Sequence, residues 1–96
     1  MPKVSVVIPT FNRPALLMRA VESALRQTVE DLEVVVVIDG PDPATVAALE
    51  ANTDPRLRYI QHERQLGAGQ TRDDGARSSS APWVAFLDDD DEWTPD

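Results

Sequence analysis

At 96 residues, 42% hydrophobic and 27% charged, the chain has room for one small core, and it contains no internal repeat or low-complexity tract. Its net charge of −8 is local, because Asp88, Asp89, Asp90, Asp91, Glu92 and Asp96 supply six of the negatives and leave −2 for the rest; with no basic stripe, nucleic acid is not an expected partner. The absence of cysteine excludes disulfides and thiolate metal sites.

The opening MPKVSVVIPTFN has an apolar run of five residues before Pro9, too short for a signal-peptide core or a membrane span. A cytoplasmic location is expected, and a longer parent remains free to carry a membrane segment beyond residue 96. Val4 to Ile8 is β-branched apart from Ser5 and reads as a strand buried on both faces, ended by Pro9. Asn12, Arg13 and Pro14 mark a helix start, with proline tolerated in the first turn. Leu17, Val21, Ala24, Leu25 and Thr28 recur at helical spacing, so Ala15 to about Gln27 is expected to pack one stripe on the sheet.

The pattern repeats. Glu33 to Ile38 is a second doubly buried strand ending on Asp39 and Gly40, and PDPAT breaks it. Thr45 to about Ala51 is a short helix with Val46, Ala48 and Leu49 facing inward. Leu57 to Gln61 alternates in polarity and suits an edge strand. Gln65 to Gly69 is a loop, Gln70 to about Ser80 a third helix, and Trp83 to Leu87 a fourth, buried strand. Four alternations of strand and helix predict a Rossmann-like three-layer α/β/α fold with a mostly parallel four-stranded sheet, in the order 3-2-1-4.

In such a sheet the C-terminal strand ends share one rim, so Pro9 to Arg13, Asp39 with Gly40, and Asp88 to Asp91 are expected to line one crevice. Four successive carboxylates repel one another unless solvated or neutralised by a cation. With only oxygen donors present, a hard ion such as Mg²⁺ or Mn²⁺ fits best. A solvated acidic loop is the alternative. Other readings also stand beside the site: Asp39-Gly40 as an ordinary turn, Arg13 and Arg72 as solvent-facing charges, and Thr10 and Asn12 as caps of the first helix. GAGQTR imitates a dinucleotide fingerprint only weakly, since it follows the third strand and has Arg72 where a glycine belongs. His62 has no acidic or cysteine partner at ligand spacing and reads as a surface residue. Trp83 and Trp93 read as packing residues, with a place beside a donor sugar as the alternative for Trp93.

VSVVIPTFNRP, VVVVIDG and LGAGQTRDDGARSSSAPWVAFLDDDDEW closely resemble the nucleotide-binding half of family 2 glycosyltransferases, the GT-A fold, and the resemblance runs from Lys3 to Pro95. It implies transfer of a sugar from a nucleoside diphosphate donor (UDP-, GDP- or dTDP-sugar) to an acceptor hydroxyl, metal-dependent and inverting. By that resemblance Pro9, Thr10, Asn12 and Arg13 hold the nucleotide, Asp39 with Gly40 meets the base or ribose, and Arg72 also contacts the nucleotide. The acidic run matches the family's D-x-D signature as Asp88, Asp89 and Asp90. The resemblance implies that Asp88 lies near the ribose and metal, that Asp89 meets the nucleotide, that Asp90 ligates the metal directly and that Asp91 is an extra acid.

The chain departs from the family where Ile38 precedes Asp39, where Gln65 and Asp73 replace the usual Asn, and where Ala81 replaces a common Gly. Residues 1–96 are therefore expected to form the donor-binding part of the domain, ending before the acceptor half that carries the general base. The isolated chain is expected to be inactive and to self-associate through the edge of its fourth strand. A non-catalytic nucleotide-binding module and a sugar nucleotidyltransferase are the alternatives; the latter lacks its Gly-rich loop after the first strand.

Overall fold

The computed structural model describes residues 2–27 and 31–94. Strands β1 (Val4–Thr10), β2 (Leu32–Ile38), β3 (Leu57–Gln61) and β4 (Trp83–Phe86) alternate with helices α1 (Pro14–Leu25), α2 (Pro43–Glu50) and α3 (Ala68–Ser78). All pairings are parallel, in the order β3-β2-β1-β4, as the alternation predicted. Thr28, assigned to the first helix from its spacing, lies outside the described residues. Among those residues, no helix is long and apolar enough to cross a membrane.

Strand residues two apart share a face, and this parity divides the core. Val6, Ile8, Val34, Val36 and Ile38 meet Leu17, Ala20, Val21 and Ala24 of α1 and Leu49 of α2. The α1 residues fall at the i, i+3, i+4, i+7 spacing of one helical stripe. On the opposite face Val7, Val35 and Val37 form a second cluster with Ile60. There α3 comes so close that a Cβ added at Gly75 would stand 2.3 Å from Val7 Cγ1. The two central strands are thus covered on both sides, which is why their sequences are almost unbroken valine and isoleucine.

Pro9 does not end the first strand, contrary to the sequence reading. It lies inside β1, paired in register with Val37. The Thr10 carbonyl accepts from the Asp39 amide and the Val7 carbonyl accepts from the Leu87 amide, so by alternation the Pro9 nitrogen points toward β4. The β4 ladder has stopped by then, at Val7↔Phe86, so the missing N–H falls beyond the last paired residues of that edge.

The fourth strand, read as a buried strand, is not buried in this chain, and its edge and apolar face lie open as the expected self-association requires, because α3 covers β1 and β2 and leaves β4 at the edge: Trp83 is 72% exposed, Phe86 48% and Val84 37%. Trp83 is therefore not a core packing residue. Trp93 does pack against the larger cluster.

Candidate functional site

Three strand ends open onto one cleft of about 480 Å³, lined by Pro9, Thr10, Phe11 and Arg13 after β1, Asp39 after β2, Ala68, Thr71 and Arg72 on α3, and Asp88, Asp89 and Asp90 after β4. Asn12 and Gly40, expected at the nucleotide, are not among the residues that line it. Asn12 adopts a left-handed backbone (φ 59), and its amide donates to Asp42 Oδ2 at 2.6 Å. Gly40 (φ 135) lies under Phe11 and Gln65, where a Cβ would meet the Phe11 ring at 3.0 Å.

Neither Thr10 nor Asn12 caps α1. The N-cap is Arg13, without a side-chain cap bond, and proline opens the helix. Asp42 is the true cap, on α2: buried at 3% exposure, it accepts from the Thr45 hydroxyl at 2.6 Å, the Thr45 amide at 3.3 Å and the Asn12 amide. Burial favours its neutral form, but these donors outweigh it and hold the carboxyl below its usual range. The cap thereby ties the β1–α1 loop to the start of α2. The sequence carried a signal for it in Asp-Pro-x-Thr, an acid just before a helix-opening proline.

The acidic run sorts itself by direction. The Asp91 amide donates to the Asp88 carbonyl at 3.1 Å, closing a turn. Within it Asp89 points inward, 8% exposed, and accepts from Thr10 Oγ1 at 2.8 Å and Arg13 Nη1 at 3.4 Å. Asp88, Asp90 and Asp91 point outward, each placing a carboxylate oxygen within 4.8 Å of the others. That all-oxygen set fits a hard divalent cation and includes Asp91, which the D-x-D spacing alone did not select as a ligand.

Arg13 stands 4.0 Å from Asp90, and Arg72 is 3.3 Å from Asp88. All four side chains are about half exposed or nearly so, so these pairs hold by only ~0–1 kcal/mol each and exchange readily. Behind the turn, the Trp93 amide donates to Ser23 Oγ at 3.0 Å, Gln27 Nε2 to the Thr94 carbonyl at 2.7 Å, and Arg19 pairs with Glu92 at 3.0 Å. The acid turn is thus strapped to α1.

Asp39 closes the opposite wall. Its Oδ1 accepts from the Leu66 amide at 2.8 Å and contacts His62 Nδ1 at 3.0 Å, while Oδ2 takes the longer bond from the Gly67 amide at 3.2 Å. Burial raises its pKa, and these donors more than reverse that, leaving it below the ordinary carboxylate value. His62 is not a surface residue: it is 8% exposed, and its Nε2 meets Asp74 Oδ2 at 2.7 Å. Its partners arrive from β2 and α3, 23 and 12 residues away, a separation no local spacing rule could detect.

At the other rim, Glu33 accepts from Ser5, Arg58 and Ser80. Ser79 in turn donates to Ser5. This network pins the segment between α3 and β4 to the sheet, away from the cleft.

Comparison with known proteins agrees with this architecture. The succinoglycan biosynthesis protein ExoO of Rhizobium meliloti (strain 1021) is 41% identical over 95 residues, which cover 99% of this chain and 27% of that protein. A mannosyltransferase from Pyrobaculum calidifontis, solved in complex with GDP-Man and Mn²⁺, superposes with a TM-score of 0.85 at 26% identity, covering 96% of this chain and 28% of its own. S. aureus TarS 1-349 in complex with UDP-GlcNAc does so with a TM-score of 0.82 at 28% identity, covering 92% and 26%. The chain thus spans about a quarter of the length of these proteins. The sheet order, the rim cleft and a family match over residues 5–96 together show that the chain belongs to glycosyl transferase family 2.

Proposed function

We propose that this chain is the donor-binding region of a glycosyltransferase that moves a sugar from a nucleoside diphosphate to an acceptor hydroxyl, with a divalent cation at the diphosphate and inversion at the anomeric carbon. The observation that carries this reading is the turn Asp88 to Asp91. It turns one carboxylate inward onto Thr10 and presents three outward within 4.8 Å of one another. The solved relatives bound to GDP-Man with Mn²⁺ and to UDP-GlcNAc support a nucleotide sugar as the ligand.

Asp88 and Asp90, with Asp91 beside them, would hold Mg²⁺ or Mn²⁺. One or two carboxylates suffice, because such ions keep several waters and share substrate phosphates. When bound, the ion supplies Lewis-acid neutralisation of the departing diphosphate. Arg13 and Arg72 carry charge toward the same oxygens. Their weak bonds to Asp89, Asp90 and Asp88 can be traded for phosphate once a cation occupies the acids. Asp39 Oδ2 has spare acceptor capacity, suited to an N–H of the base or a ribose hydroxyl. Pro9 and Phe11 give the cleft its apolar floor.

Calorimetry with UDP and GDP, each with and without Mn²⁺ or Mg²⁺, tests the reading. Nucleotide binding is expected to require the cation, and Asp90→Asn is expected to lower cation affinity by on the order of tenfold or more, because affinity follows ligand charge count. Equal nucleotide affinity with and without cation, or no nucleotide binding at all, would contradict it.

A further inference from the structure

The ring of His62 is held between two carboxylates, Asp39 Oδ1 at 3.0 Å from Nδ1 and Asp74 Oδ2 at 2.7 Å from Nε2. A neutral imidazole has one N–H and one lone pair, so it can satisfy only one of them and must turn its lone pair on the other. Only the doubly protonated ring donates to both. Asp39 is held in place by the Leu66 and Gly67 amides, and Asp74 also accepts from Gln70 Nε2 at 2.7 Å.

The carboxylates come from different elements. Asp39 follows β2, Asp74 is on α3, and His62 follows β3, where its own amide donates to the Ile38 carbonyl at 2.9 Å. Asp39, Ala68, Thr71 and Arg72 line the cleft on this side. The only charged chain neighbours of His62 within two residues, Glu63 and Arg64, are exposed; Asp39 and Asp74 are the acids that face its ring.

We propose that His62 is a positioning residue for the nucleotide: its doubly protonated ring clamps Asp39 to Asp74 and so sets the wall of the cleft that the base and ribose meet. This rests on the donor-binding reading above. As the ring loses its second proton, one contact becomes a repulsion between lone pair and carboxylate, the bridge from Asp39 to Asp74 breaks at one end whichever tautomer forms, and the wall that Asp39, Leu66 and Gly67 build at the end of β2 is no longer tied to α3. Nucleotide affinity then falls as pH rises. The direction agrees with the hydrogen bond that the ring donates to Asp39, which with Asp74 more than offsets burial and raises the pKa of His62 above its ordinary value.

His62 is the only histidine in the chain, so its ring proton signals can be followed by NMR without assignment, in metal-free protein. In parallel, UDP and GDP affinity with Mg²⁺ is measured from about pH 6.5 to about pH 9, above the second pKa of a terminal phosphate at about 6. The ring is expected to titrate above its ordinary value. Wild-type affinity is expected to fall about fivefold or more across the range, the size of a modest coupling between sites. His62→Gln should bind weakly and show no such slope, and Asp74→Asn should move the midpoint of the slope to lower pH.

A wild-type affinity that stays constant while the ring titrates overturns the proposal, as does a His62→Gln protein with wild-type affinity and slope. A ring that titrates below its ordinary value removes the clamp even if nucleotide binds. If the ring titrates as expected but no nucleotide binds at any pH, the donor-binding reading has failed and the positioning role falls with it, while the clamp itself stands.

Discussion

Replacing Gly75 by alanine tests how the sheet sets the position of the cleft wall. The new methyl group would lie 2.3 Å from Val7 Cγ1, 3.0 Å from Val37 Cγ2 and 3.4 Å from Val7 Cβ. Both valines are wholly buried in the central strands. Each has a single, stiff χ1, so the strain cannot be relieved at the end of a flexible chain. The helix must move outward instead, which loosens its contacts with Val7, Val35 and Val37. Overpacking of this kind costs about 1–3 kcal/mol, and the upper end applies because the closest atom is a branched side chain fixed in the sheet. Alanine recovers ~1 kcal/mol of helix propensity.

The net loss is therefore about 2 kcal/mol. With a urea dependence of about 1 kcal/mol per molar for a small domain, the unfolding midpoint should fall by roughly 2 M. Because Thr71 and Arg72 ride on the same helix, nucleotide affinity should weaken as well. Equilibrium urea unfolding followed by circular dichroism gives the midpoint. An unchanged or higher midpoint for Gly75→Ala would refute the packing argument, since helix propensity alone predicts an increase.

Acid unfolding probes the opposite rim. Burial pushes the Glu33 carboxyl up, but the bonds from Ser5, Arg58 and Ser80 and the charge of Arg58 bring it from 4.5 down to about 2. A carboxyl lowered on folding stabilises the protein fully above its unfolded value, and the contribution is lost as pH falls from about 4.5 through about 2. At about 1.4 kcal/mol per tenfold change in proton affinity this amounts to roughly 3 kcal/mol. Urea midpoints measured through that window should drop for the wild type and drop less for Glu33→Gln; equal slopes would show that the network does not hold the sheet. At the β4 edge, exposed Trp83, Val84 and Phe86 predict concentration-dependent association by analytical ultracentrifugation, suppressed by Val84→Lys, which puts charge on an open edge. A strict monomer at high concentration would count against it.

Much of the fold was legible in the letters because its signals are local. The valine-rich runs at Val4 and Val34 announce strands buried on both faces, the Leu17 to Ala24 stripe announces a helix with one covered side, and strict alternation with helices leaves parallel pairing as the economical arrangement. That arrangement alone puts Thr10, Asp39 and Asp89 at one end of the sheet. Pro9 misled because a missing amide is harmful only on a side where a neighbour needs it, and the sequence does not say where the neighbouring strand stops.

Only the tertiary structure could divide the four aspartates, turning Asp89 in toward Thr10 and leaving Asp88, Asp90 and Asp91 to converge. Identical side chains in a row carry no mark of direction until a turn assigns one. His62 makes the same point more strongly: nothing adjacent to it in sequence is acidic in a way that reaches its ring, and both its partners are delivered by elements that meet only when the sheet and α3 have assembled. Composition and periodicity determine which surfaces are buried, while the charge state and role of a polar group depend on neighbours brought from elsewhere in the chain.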